Sequence, residues 1–133
     1  MSEENVEIVR KGLAQLGATG RPSSLAAPDL GWDMSHFEGW PDKDIYTGRD
    51  GFAAFIGEWT APYEQWTLDI EELVEIDDVR VLAVMIQRGL ITGTTSEVEL
   101  RFAGIYTVEG GLIARGECYS NVAEAFEAAG LRE

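Results

Sequence analysis

The stretch RFAGIYTVEGGLIARGECYSN, residues 101–121, decides the fold. Within it, two segments whose side chains alternate between the two faces of a strand flank a Gly-Gly pair. Two glycines between alternating segments are typical of a tight turn between antiparallel strands. Charged and apolar residues alternate over residues 97–101, so the charged set faces solvent and the set that includes Gly104 faces the core. After the turn, one of two registers places Gly116 and Cys118 on the same inward face. The stretch therefore predicts a hairpin whose inward face is lined by small residues.

Helices are predicted on both sides of the strand region. Apolar residues at helical spacing predict a helix that follows Ser2 and ends near Gly17, and a second one over about 49–60. The segment RPSSLAAPDLGWD between them predicts a short helical turn leading into a strand or loop near Trp32. Asn121, with a glutamate three residues later, predicts a capping box that begins a short terminal helix.

The strands lie in the second half of the chain. Alternation begins near Leu68, and the nearly continuous apolar run VRVLAVMIQRG, residues 79–89, predicts a central strand buried on both faces. Arg88 either pairs with Glu99 on the neighbouring strand or anchors an anionic ligand, and the pair is the simpler expectation. Helices followed by antiparallel strands predict a single α+β domain over residues 1–133. Its curved sheet would carry helices on one face and enclose a pocket between them.

The charge balance restricts the possible partners. The 133 residues include 24 acidic and 10 basic side chains, a net charge of -14. This charge repels the phosphates of nucleic acids and anionic membranes, so neither is expected as a partner. One histidine and one cysteine offer no ligand set for a transition metal, and no cofactor motif is found. The single cysteine and the acidic N-terminal segment, which has no apolar signal region, predict a cytoplasmic location.

The small residues of the hairpin leave space on its inward face. In one interpretation this space is a cavity for a small apolar ligand, lined by aromatic rings from across the domain. In the other, large rings fill the space, because protein interiors are close-packed. The first interpretation predicts these ligand-binding residues: Trp32, Trp40, Tyr46, Phe55, Trp59, Phe102, Gly104, Tyr106, Gly116 and Cys118.

Acid–base chemistry has one candidate pair. His36 follows Asp33 by three residues, and a carboxylate that orients an imidazole can support general acid–base catalysis near neutral pH. The alternative is a solvent-exposed histidine with a chance acidic neighbour. Tyr106 either donates a hydrogen bond to a ligand carbonyl or only caps the core. Cys118 has no cationic neighbour in the sequence and is interpreted as a small inert apolar residue.

The outward face of the hairpin predicts self-association. Ala103, Ile105 and Ile113 are expected on this face, next to Tyr119 in the chosen register. An apolar patch of this kind on a small protein is usually covered by a partner subunit. The sequence therefore predicts a homodimer.

Several segments together resemble the SnoaL-like proteins of the nuclear transport factor two-like superfamily. They are MSEENVEIVRKG, PDLGWD, YTGRDGFAAFIGEW, RVLAVMIQRG and EVELRFAGIYTVEGGLIARGECYSNVAEAFEAAGL. The resemblance implies a cone-shaped α+β fold with a deep pocket, commonly in a dimer. It implies little about chemistry, since the superfamily includes cyclases, dehydratases, isomerases, epoxide hydrolases and plain binding proteins.

The resemblance also bears on individual residues. Polyketide cyclases of the family use a histidine on the fifth strand and an aspartate on the sixth, and these positions fall at Gly104 and Cys118 here. Cyclisation by that pair is therefore not expected. In proteins of the family, the segment that corresponds to the one around His36 often lies at the pocket mouth. The resemblance therefore implies that the imidazole lies there.

Three functions follow from these observations. The leading hypothesis is a small-molecule binding domain for an apolar or cyclic ligand. The alternative is an acid–base enzyme, an isomerase, dehydratase (lyase) or epoxide hydrolase, that acts on a small cyclic substrate through Asp33 and His36. A third possibility is a structural or interaction module that uses the outward face of the sheet.

Overall fold

The computed structural model describes residues 2–41 and 44–132 and contains helices on both sides of one sheet. None of the helices in this part of the chain has the length and apolar character needed to cross a membrane. The elements in chain order are α1 (Ser2–Thr19), β1 (Ala26–His36), β2 (Ile45–Thr47), α2 (Gly48–Thr60), β3 (Tyr63–Glu75), β4 (Arg80–Ile91), β5 (Glu97–Glu109), β6 (Leu112–Tyr119) and α3 (Val122–Ala128). The predicted α+β class is confirmed, whereas β1 replaces the helical turn expected before Trp32.

The six strands form one curved sheet in the order β2-β1-β6-β5-β4-β3. Strands β3 to β6 make an antiparallel meander, and β1 joins it by parallel pairing with β6. Strand β2 closes the other edge antiparallel to β1. The sheet is thus mostly antiparallel, as the sequence predicts, and the parallel pair brings Trp32 directly beside Gly116.

The helices cover both faces of the sheet, which corrects the expectation that all of them pack on one face. Helices α1 and α2 pack against the side that carries Val81 and Ala83, whereas α3 packs against the side that carries Leu82 and Val84. Because β4 is apolar on both sides, each side needs a cover. The N-cap part of the predicted capping box is confirmed, since the Asn121 side chain accepts a hydrogen bond from the Glu124 backbone N–H at 3.1 Å.

The predicted hairpin register is correct over its central part. Gly104 lies opposite Cys118, and Tyr106 lies opposite Gly116. Beyond these pairs the register shifts at a bulge near the turn. The shift turns Ile113 inward against α1, so its predicted outward position was wrong.

The outward apolar patch is covered by the chain's own third helix. Ala103, Ile105 and Tyr119 are buried beneath α3, where Val122 and Phe126 pack on them. The patch therefore gives no support to the predicted homodimer, because its apolar surface is already removed from water. Dimerisation remains a prediction, but an exposed apolar patch no longer supports it.

Candidate functional site

The small-residue face of the hairpin is filled by aromatic rings. A Cβ atom placed on Gly116 would overlap the six-membered ring of Trp32, and one placed on Gly104 would lie 2.8 Å from Cε2 of Tyr106. Both rings are buried. The second interpretation of the small residues is thus the better description of this structure, since glycine is needed where the rings approach the backbone.

Two small cavities remain on either side of Trp32. Each has a volume of about 30 Å³, whereas a cavity that holds benzene measures about 150 Å³. Neither is large enough for a cyclic ligand. The predicted residues that line the first cavity are Trp32, Phe55, Trp59, Phe102, Tyr106 and Cys118. The interior therefore brings together most of the predicted ligand-binding residues around very little free space.

The polar groups of the interior are neutral. Burial, followed by the neighbouring Cys118 thiol, raises the pKa of Tyr106 well above its usual value, and its hydroxyl contacts the Met85 sulfur at 3.7 Å. Burial also raises the pKa of the Cys118 thiol. The indole N–H of Trp32 has no hydrogen-bond acceptor within residues 2–41 and 44–132. These groups can donate hydrogen bonds, but none is ionised at neutral pH.

We expect Cys118 to resist alkylation in the folded protein. The residue is 1% exposed, and its raised pKa keeps it as a thiol rather than the reactive thiolate. Iodoacetamide at neutral pH should label it only after denaturation, as followed by mass spectrometry. Equal labelling rates in the native and denatured protein would contradict this burial.

A larger space lies at the end of the domain where α2 meets β3. This aromatic groove has a volume of about 220 Å³. Its rings are Phe37, Trp40, Trp59 and Tyr63, and its polar lining residues are Glu58 and Gln87. Phe37 and Trp40 follow β1, Glu58 and Trp59 end α2, and Tyr63 begins β3. The segment after β1 and the two sides of the connection from α2 to β3 therefore place their side chains around one opening.

Hydrogen bonds hold the indole rings of the groove in place. Trp40 donates its indole N–H to the Tyr46 hydroxyl at 3.1 Å, and that hydroxyl lies 3.1 Å from the Glu58 carboxylate. Trp59 donates its indole N–H to the side-chain carbonyl oxygen of Gln87, which is 3% exposed. The predicted residues Trp40 and Trp59 thus line the groove, and the buried Tyr46 holds the ring of Trp40 in its orientation.

Six residues that line the groove lay outside the predicted ligand-binding set: Phe37, Glu58, Pro62, Tyr63, Gln87 and Leu100. Gln87 carried a signal, because it continues the inward alternation of Ala83 and Met85 at the end of an apolar run. A polar residue at such a position needs buried hydrogen-bond partners. The two indole groups of Trp59 and Trp66 fill that role.

Asp33 and His36 lie close together, but on the outward face of the sheet. Strand alternation turns Trp32 inward and Asp33 outward, and β1 pairs Asp33 with Glu117 of β6. His36 stacks on Tyr119 with ring centroids 4.6 Å apart, and its Nε2 lies 4.0 Å from Glu117. The expectation that His36 lies at the pocket mouth was therefore wrong, because the sheet separates it from the interior.

The outward cluster is organised by an arginine. Arg115 contacts Asp33 at 3.1 Å and Glu117 at 3.5 Å. Burial alone would raise the pKa of Asp33, but hydrogen bonds from Ser35 and the charges of His36 and Arg115 outweigh it and lower the pKa. The ligand atoms of Asp33, His36 and Glu117 lie within 4.8 Å of one another, a spacing that a metal ion could bridge. The single Arg115 guanidinium contacts both carboxylates and offsets one of their two negative charges, so a metal ion there would compete with it.

Comparison with known proteins identifies the fold. The family model of the SnoaL-like domain matches residues 17–116, most of the chain. No curated protein matches the sequence. An NTF2-like protein of unknown function from Burkholderia pseudomallei is similar in structure, with a TM-score of 0.69 and 20% identity over 93% of this chain and 95% of that one.

Two further solved structures share the fold. A hypothetical protein from Catenulispora acidiphila with a ketosteroid isomerase-like fold, crystallised in complex with trimethylamine, has a TM-score of 0.69 and 19% identity over 94% of this chain and 93% of that one. A Jannaschia protein assigned as a SnoaL-like polyketide cyclase has a TM-score of 0.70 and 13% identity over 96% of this chain and 92% of that one. Identities this low establish a common fold and no common activity.

Proposed function

Because this chain belongs to the SnoaL-like domain family, we propose that it is a small-molecule binding domain whose ligand occupies the aromatic groove. The observation that carries the proposal is the groove itself, which offers about 220 Å³ among four aromatic rings. Ligand sites of proteins are concave, mostly apolar and already formed in the free protein, with a few placed polar groups. The groove has these properties, with Glu58 and Gln87 as its polar groups.

Size favours the groove over the interior as the ligand site. The cavities beside Trp32 each offer about 30 Å³. Trp59 lines both the groove and the first of these cavities. A ligand in the groove would therefore rest on the ring of Trp59, and the interior would keep its packing. The related Catenulispora protein, which was crystallised with trimethylamine, supports only the general point that this fold can hold a small molecule.

The position of the acid–base pair favours binding over catalysis. Asp33 and His36 lie on the outward face and contact Arg115 and Glu117. A general acid or base must come within hydrogen-bond reach of the reacting group. A ligand in the aromatic groove is on the other side of the sheet from this pair. The acid–base enzyme thus receives no support from the geometry of its two candidate residues.

The test uses the indole N–H signals of the four tryptophans in NMR spectra. A panel of small neutral cyclic compounds and small organic cations is added to the native protein. We expect the signals of Trp40 and Trp59 to shift on binding, because both rings line the groove. The signal of Trp32, which lies inside, is the internal control and should shift least.

Two results would contradict the proposal. Shifts largest at Trp32 would show that ligands enter the interior and displace its rings. The absence of any shift with every compound at concentrations up to the solubility limit would show that the groove binds none of these ligand classes. Mass spectrometry of a small molecule that copurifies with the native protein would then identify another class.

A further inference from the structure

The charge that lines the aromatic groove is negative. Glu58 is its charged lining residue within residues 2–41 and 44–132. The whole chain carries a net charge of -14, so the surrounding potential is also negative. An anionic ligand would be repelled both by the nearby carboxylate and at long range. A cation would be attracted by both.

The two indole N–H donors of the groove are already used within the protein. The indole N–H of Trp40 is bound to Tyr46, and that of Trp59 is bound to Gln87. An anion in the groove would therefore lose its water without gaining these two donors. What the indole rings can still offer a ligand is their π-electron faces.

Aromatic faces attract cations because the ring quadrupole is negative on the face. The rings of Phe37 and Trp59 meet edge to face with centroids 5.2 Å apart, and Trp40 lies 5.7 Å from Trp59 at a tilt of 42°. The rings therefore line the groove at different angles rather than as a flat stack.

We propose that the ligand of this groove is a small organic cation with an alkylated ammonium group, held by the aromatic rings and the Glu58 carboxylate. The inference rests on the proposed function, because it names the ligand class of that same groove. The groove exceeds the roughly 150 Å³ that accommodates a benzene molecule, so a trimethylammonium group has room.

Alkylation distinguishes this ligand from a primary amine. A primary ammonium has three N–H donors that need acceptors when they leave water. Among the described residues the groove is lined by four rings, and its two polar side chains, Glu58 and Gln87, already accept hydrogen bonds within the protein. Such a lining suits methyl groups better than N–H groups. A quaternary ammonium places its charge among methyl groups that pack on the rings, and it leaves no donor unsatisfied.

The test compares three matched compounds in the NMR titration of the native protein. Choline carries a trimethylammonium group. The isomer of dimethylbutanol used here, 3,3-dimethyl-1-butanol, has the same shape with carbon in place of the charged nitrogen. Ethanolamine keeps the charged nitrogen but lacks the methyl groups. Choline should shift the indole signals of Trp40 and Trp59 and bind about tenfold more tightly than each of the other two, within the range of cation–π contacts.

Two matched pairs of variants test the residues. Glu58→Gln should weaken choline binding about fivefold while leaving dimethylbutanol binding unchanged, because it removes the charge and keeps the shape. Glu127→Gln, an exposed residue of α3 on the other face of the sheet, makes the same change in net charge and should have no effect. Trp40→Phe, which keeps an aromatic face, should retain more choline affinity than Trp40→Leu.

The outcomes separate this inference from the proposed function. Equal affinities for choline and dimethylbutanol would overturn the cation while keeping a ligand site in the groove. Equal affinities for choline and ethanolamine would overturn the role of the methyl groups and rings. No shift at Trp40 or Trp59 with any compound would overturn both. Equal losses in the Glu58→Gln and Glu127→Gln variants would overturn the assignment of Glu58.

Discussion

Replacing Gly116 with leucine should destabilise the protein by roughly 3 kcal/mol, the upper end of the usual cost of overpacking. The reason is that the first side-chain atom at this position would already overlap the ring of Trp32. Trp32 itself is held between Phe52 and Phe55, with ring centroids 5.0 and 5.4 Å away, and the two cavities beside it, about 30 Å³ each, are too small to take up its ring. The free energy of unfolding, from denaturant titration, measures the effect.

Two companion variants control this experiment. Gly57 is an exposed residue of α2 with no atoms near an added Cβ, so Gly57→Ala should stabilise by about 0.5–1 kcal/mol. Trp32→Ala should cost about 3–5 kcal/mol by leaving a cavity. The double variant Trp32→Ala/Gly116→Leu should lose less than the sum of the two single losses, since the leucine enters the space that the ring leaves. Unchanged stability of Gly116→Leu would mean that the interior beside Trp32 is open and that the ring-filled core is wrong.

Replacing Phe126 with alanine should cost about 3–5 kcal/mol and promote self-association. Phe126 is 4% exposed and belongs to the cluster that buries Ala103, Ile105 and Tyr119. Without this ring, α3 loses its main contact with the sheet, and the apolar patch beneath it becomes accessible to a second copy. Denaturant titration gives the stability, and light scattering over a concentration series gives the association.

A surface change on the same helix is the control for Phe126. Glu127 is the next residue and is exposed, so Glu127→Ala should alter stability and association little. If Phe126→Ala unfolds no more easily than Glu127→Ala, α3 does not cover the patch. The comparison is made between variants, so it holds for either oligomeric state of the unmodified protein.

Local alternation predicted the centre of the fold. Charged residues on one side of β5 placed Gly104 inward, and the structure confirms its pairing with Cys118. The same logic predicted the Arg88–Glu99 pair, whose atoms lie 2.8 Å apart. These features depend on strand neighbours that are close in sequence and on side chains that alternate between the two faces of a strand. Both are visible in the sequence.

What failed depends on contacts between distant parts of the chain. Alternation places Ile105 on the outward face, but it does not say whether a partner or the chain's own α3 covers that face. His36 was expected at the pocket mouth, yet parallel pairing of β1 with β6 carries it to the outward face beside Tyr119. A bulge in β6, which sequence spacing does not reveal, turned Ile113 inward.

The aromatic groove could be identified only from the structure, for a related reason. Its rings come from the segment after β1, the end of α2 and the start of β3, and no sequence spacing links them. Only the ring contacts between Phe37, Trp40 and Trp59 show that they share one opening. The sequence did indicate several aromatic residues at a ligand site, but the prediction placed them around a cavity inside the domain.

A crystal structure of the protein grown with choline tests the central claim most directly. We expect electron density for the trimethylammonium group against Trp40 and Trp59, near the Glu58 carboxylate, with the ring of Trp32 still packed on Gly116. Density for choline inside the domain with Trp32 displaced, or a groove that stays empty at a choline concentration that saturates the NMR titration, would contradict the account.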